Sequence, residues 1–183
     1  RTFGFSDNRR TALWLLNTVL GSGMSSRLFQ NIREHHGLAY AIYSFTELFQ
    51  ETGFITAYAA TETKNCERTI SLIEKEYRNL SAILLDSDTM GRAKSQLKGS
   101  LILSLENTSN RMNRLAKQEI FLGYCHGMND AVRRIEEVSA EGVRDVAEEI
   151  FAPEHLRTFV LSPAKKRSNR MSAVKTGKGI HVR

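Results

Sequence analysis

Apolar positions along the chain switch between two periods, and the switches mark its elements. Ala12, Leu15, Leu16, Val19 and Leu20 recur at helical spacing, with Asp7 or Asn8 placed to cap the helix and Trp14 to cover its edge. Gly21 and Gly23 follow, where left-handed backbone angles are cheap only for glycine. Leu28, Phe29 and Ile32 then form a narrow stripe over a short second helix, which Ser25 or Ser26 can cap and Gly37 ends. Leu38 stands where a hydrophobic contact accompanies a glycine C-cap. Two runs rich in Tyr, Phe, Ile and Thr come next, at 39–46 and 54–61. A polar loop ending at Gly53 joins them, which predicts an antiparallel hairpin.

From Thr63 the period is helical again. Cys66, Ile70, Ile73, Tyr77 and Leu80 predict a helix laid against a sheet. Ser87 or Asp88 caps another helix, with Ala93, Leu97, Leu101 and Leu105 on one face. Residues 106–111, ENTSNR, read as a turn before a helix that carries Met112, Leu115, Ala116, Glu119 and Ile120 to a stop at Gly123. Two more helices are predicted at 130–138 and 139–151, the second capped by Ser139 with Glu141 favourably placed in its first turn. Short strands at 1–5 and 156–161 close the pattern. The fold class is therefore α+β, an antiparallel sheet with several helices packed on one face.

Composition bounds this picture. At 183 residues and 41% apolar, the chain can bury one core of ordinary size, which predicts a single domain over 1–163 and a basic C-terminal tail over 164–183. From Lys165 onward seven basic residues and no acid occur, so the net charge of +6 falls to −1 for residues 1–164 once those seven are subtracted. The basicity belongs to the tail. No aromatic residue is present there for base stacking, which argues for a solvated tail and against nucleic acid as a partner. No apolar run approaches the length that spans a bilayer, so no membrane is expected. The chain begins at Arg1 without methionine or a targeting segment, which suggests an excised fragment or processed product; its compartment is unknown, with the cytoplasm as the default. Cys66 and Cys125 have no C-x-x-C partner and read as small apolar residues.

Candidate chemistry gathers in residues 20–43, LGSGMSSRLFQNIREHHGLAYAIY. Arg33 falls on the last turn of the short helix and Tyr40 at the mouth of the following strand. Two readings fit them: a solvated helix residue beside a half-buried strand residue, or a pair projecting into one cleft, where a guanidinium and a phenol grip a peptide carbonyl or an oxyanion. No H-x-x-E-H, H-E-x-x-H, G-x-S-x-G or phosphate-binding glycine loop occurs, so no zinc helix can be built from these residues. His35 and His36 suit the negative end of a helix better than a metal site.

The string LGSGMSSRLFQNIREHHGLAY, continued by IYSFTELFQETGFITAYAAT, resembles the second half of a peptidase of the insulinase, pitrilysin and mitochondrial-processing-peptidase family. AKSQLKGSLILSLENTSNRMNRLAKQEIFLG and IEEVSAEGVRDVAEEIF extend the resemblance over about 3–163, in the family's order. His35-His36 stands where the family carries a basic or polar pair. The resemblance implies one half of a duplicated metallopeptidase-type unit, the half without the zinc motif. It implies zinc in the partner half of the full protein and none bound by this chain, which alone is expected to be inactive. It also implies that Arg33 and Tyr40 reach across a closed chamber to a peptide substrate. The expected partners are the zinc-bearing half, in the same protein or a second subunit, and a peptide, with a homo-oligomer as a further expectation. The alternative is a non-catalytic structural or substrate-presenting subunit of a peptidase-like assembly.

Overall fold

Helix α1 (Arg10–Gly21) is the axis of the molecule. Its sequence stripe suggests one buried face, but Leu13 is as fully enclosed as Leu15, Leu16 and Leu20, because α1 runs between the sheet and a layer of other helices. Each such leucine contributes roughly 1.5–3 kcal/mol by leaving water. Arg9, not Asp7 or Asn8, holds the N-cap position, and no side chain caps it. Asp7 acts one step earlier: its Oδ1 accepts from the Arg9 amide at 2.8 Å, and the Arg9 guanidinium bridges Asp7 and Glu149.

The computed structural model describes residues 1–163 and the strand at 179–181. Strand β1 (Thr2–Phe3) is followed by α1, a π-helix (Phe29–His35), and the hairpin strands β2 (Ala39–Leu48) and β3 (Thr52–Thr61). The sheet order is β1-β3-β2, antiparallel throughout. Both hairpin strands run longer than the apolar pattern suggests, so Gly53 lies inside β3 and not in the loop. Helices α2 (Cys66–Ala82), α3 (Ser87–Ser104), α4 (Thr108–Leu122), α5 (Met128–Glu136) and α6 (Ala140–Ile150) follow. The result is the expected α+β arrangement with a small antiparallel sheet. Ile42 and Leu48 of β2, with Ile55, Ala57 and Ala59 of β3, face the helices, while Tyr43, Phe45 and Tyr58 face out.

Several local expectations change. Gly21 has no left-handed angle; it ends α1 where a Cβ would stand 2.4 Å from the Ser44 backbone nitrogen, so glycine lets α1 touch β2. Gly23 and Gly37 do take positive φ, +94° and +62°. Asp86, one residue before the predicted caps, caps α3 through the Thr89 amide at 2.8 Å. Asn107 caps α4, so that helix absorbs most of the segment that reads as a turn. Ser139 caps α6 as expected, accepting from Gly142 at 3.1 Å. Strand β4 (Thr158–Val160) pairs in parallel with β5 (Gly179–His181), not with the hairpin sheet. The rest of the basic tail lies outside the described residues. Cys125 is exposed, not a buried apolar residue. Among the described residues no helix is long and apolar enough to cross a membrane.

Candidate functional site

Arg33 and Tyr40 both sit on irregular backbone. The short helix of Arg33 is wound as a π-helix, closed by His36 N–H to Asn31 C=O at 3.1 Å and by Leu38 N–H to Ile32 C=O at 3.0 Å. Neither Ser25 nor Ser26 caps it; the Ser26 hydroxyl donates to the Gly23 carbonyl instead, at 2.7 Å. Across the turn, Ala39 pairs with Thr61 and Ala41 with Ala60, so the register slips and Tyr40 is the unmatched residue of a β-bulge. π-turns and bulges re-aim single side chains and recur at functional sites.

Both side chains point to solvent. Tyr40 is 68% exposed. Its hydroxyl donates to Glu62 Oε1 at 3.0 Å, and Glu62 pairs with Lys64 at 2.7 Å. The bond to Glu62 raises the phenol above its ordinary 10.0, so Tyr40 keeps its proton and remains a donor at neutral pH. Glu62 is held below the usual carboxylate range, first by Lys64 and then by Tyr40. The Arg33 guanidinium lies over the Phe29 ring, 4.8 Å from its centroid, with no carboxylate partner among the described residues. No hydrogen bond joins Arg33 to Tyr40 among the described residues; both side chains stand open to solvent, that of Tyr40 bonded to Glu62.

The π-helix is pinned from beneath. Asn31 Nδ2 donates to Glu76 Oε1 at 2.7 Å, and Arg27 Nη1 lies 3.7 Å from Glu76 Oε2. Glu76 is buried in α2, where the periodic stripe predicts apolar neighbours. The core-facing side of α2 keeps Ile73, Tyr77 and Leu80 of the predicted stripe and widens to bury Thr69 and Glu76 beside them. Sequence reading misses both Glu76 and Glu62. A charge flanking a helix's apolar stripe signals the first; the hairpin register, which sets Thr61 beside Ala39, signals the second.

Below the bulge the outer sheet face carries a run of aromatic rings. Tyr43 and Tyr58 are 5.0 Å apart, Phe45 and Phe54 6.0 Å, and Phe49 and Phe54 6.3 Å. No group of three metal-ligating side chains occurs among the described residues. His35 and His36 meet edge to face at 4.9 Å, and a His36 ring nitrogen is engaged with the Asn31 carbonyl at 2.7 Å. These residues do not fit a zinc site.

The family model of the Peptidase M16 inactive domain matches residues 2–97, more than half of the chain, and the chain belongs to that family. An uncharacterized zinc protease of Streptomyces coelicolor is 40% identical over 146 residues, 80% of this chain and 32% of that protein. One of Bacillus subtilis is 35% identical over 148 residues, 81% of this chain and 36% of that protein. The chain thus spans about a third of the length of the curated relatives it matches. A conserved protein from Enterococcus faecalis superimposes with a TM-score of 0.69 at 25% identity, over 80% of this chain and 34% of that one. The peptidase M16 inactive domain from Pseudomonas fluorescens has the same fold, with a TM-score of 0.71 at 23% identity over 81% of this chain and 35% of that one.

Proposed function

We propose that this domain is the zinc-free half of a zinc metalloendopeptidase, which encloses an extended peptide and orients it for hydrolysis at a zinc site in another domain or chain. Zinc supplies the water-activating chemistry there; the residues of this chain bind and orient. Arg33 and Tyr40 donate hydrogen bonds to the peptide backbone or to the oxyanion that develops on it. The observation that carries this reading is the pairing of a π-turn with a β-bulge, which turns a guanidinium outward from a helix anchored on buried Glu76 and a protonated phenol outward from the strand that follows. Exchange of the Tyr40 hydroxyl from Glu62 to substrate costs little, because both partners are exposed.

The edge of β3 is a second place for the peptide. Strand β1 covers only Thr52 and Gly53, and the Tyr77 hydroxyl meets the Ala57 backbone midway. The stretch beyond Ala57, next to Tyr40, is the part that suits strand addition.

The test uses the intact protein. Tyr40→Phe and Arg33→Ala should each lower kcat/KM for peptide cleavage by about 10²–10³ with at most a small change in the melting temperature. Unchanged cleavage overturns the role of the pair. An intact protein with neither zinc nor peptidase activity supports the structural or substrate-presenting alternative instead.

A further inference from the structure

A cavity of about 440 Å³ lies away from Arg33 and Tyr40, between α1, α3, α4, α5 and the end of β2. Its polar walls are unusual in sign. Arg10 of α1, Arg114 and Lys117 of α4, Arg134 of α5 and the ring of His126 line it, against a single carboxylate, Glu47. Glu47 is already paired with Lys117 at 3.1 Å. Nearby Asp130 is taken by Arg133 at 2.8 Å and by the His126 ring at 3.4 Å.

That leaves three guanidiniums without a carboxylate among the described residues. Arg10 is 5% exposed; its Nη1 donates to the Asp7 carbonyl at 3.3 Å and its guanidinium lies 5.3 Å from the centroid of the Phe5 ring. Arg114 Nη2 donates to the His126 carbonyl at 3.4 Å. Arg134 Nε and His126 Nε2 are buried with no hydrogen-bond partner among the described residues. Burial first, and the Arg134 charge second, hold Arg10 below its ordinary range, so these cations oppose one another. Residues 164–183 contain no aspartate or glutamate that would balance them. A buried guanidinium beside half-buried ones with open donors is costly unless an anion meets them.

The remaining wall is apolar, with Phe5, Trp14, Leu101 and Ile135. The volume suits a small molecule. We infer that this cavity is a binding site for an amphipathic organic anion, whose carboxylate meets Arg10, Arg114 and Arg134 and whose apolar body lies against Trp14 and Leu101. Planar guanidiniums grip a carboxylate through paired hydrogen bonds, and the apolar wall rejects a bare inorganic ion. The site stands independently of the Arg33 and Tyr40 reading.

Trp14 is the chain's single tryptophan and reports occupancy directly. Decanoate titrated into the full 183-residue chain should change Trp14 emission saturably, with a Kd at least about tenfold tighter than that of 1-decanol, which has the same body and no charge. Arg134→Met and Arg114→Met should each weaken decanoate by about tenfold or more and leave 1-decanol unchanged. Inorganic phosphate at the same concentration should not displace decanoate. Equal binding of decanoate and 1-decanol overturns the anion site, and this comparison needs no variant to fold. Tighter binding of phosphate than of decanoate overturns the amphipathic class.

Discussion

The π-helix and α4 both carry an apolar stripe in the sequence, and the fold treats the two stripes in opposite ways. Leu28 and Ile32, beside and within the π-helix, are fully buried, and the Asn31–Glu76 bond ties that helix to α2. Helix α4 turns Met112, Leu115 and Ile120 outward, at 61%, 41% and 73% exposure, and buries Gln118. The periodic residues of α4, Met112, Leu115, Ala116, Glu119 and Ile120, thus lie on its outer face. The inward face serves the cationic cavity: Arg114 and Lys117 line it, and the Gln118 side-chain oxygen accepts from the His126 amide at 2.6 Å. A periodic stripe states what a helix can bury; what it does bury depends on whether the facing surface is apolar or polar.

Substitutions sharpen the comparison. Ile32→Ala opens a cavity at a site with no exposure, and the urea midpoint should show a loss of roughly 2–5 kcal/mol. Glu76→Ala strands the Asn31 amide and the Arg27 charge, and should cost about 1–3 kcal/mol in the same measurement. It should also lower peptide cleavage in the intact protein, by loosening the helix that aims Arg33. Ile120→Ala, the same kind of truncation on α4, should stay within about 0.5 kcal/mol. A loss comparable to that of Ile32→Ala would break the contrast and place α4's outer stripe in a packed contact.

The smallest effect concerns the proton on Tyr40. Because the folded state favours the protonated phenol, this bond contributes to stability below the ordinary 10.0, and the contribution disappears as pH rises through the raised folded value. An NMR titration of ring-labelled tyrosine should find Tyr40 above 10.0, and Glu62→Ala should bring it back toward that value. Tyr77 behaves differently: burial pushes it up to about 12, and it should titrate after Tyr40.

Much of the chain was legible before any tertiary contact was known. The hairpin followed from β-branched and aromatic runs around a polar loop, and Gly37 and Ser139 were readable as punctuation because turn and cap chemistry act within a few residues. The order of the helices was legible from their periodicity, and the family from the resemblance over about 3–163, which is also what singles out Arg33 and Tyr40. The caps expected at α1 and α3 were off by one or two residues, where neighbouring Asp, Asn and Ser compete for the same free amides.

Only the tertiary structure decided how those residues are presented. A π-turn differs from an α-turn by one residue of winding, and His36 N–H reaching Asn31 C=O selects it together with the packing of Ile32. The bulge at Tyr40 is a slip between two strands, so it belongs to the pair of strands and to neither alone. Glu76 is buried because Asn31 and Arg27, 45 and 49 positions earlier in the chain, meet it, and Gly21 is required because Ser44 lies against it. Local periodicity is set over a few residues by backbone geometry; winding, register and the direction of a charged side chain are set by groups that only the folded chain brings within hydrogen-bond range.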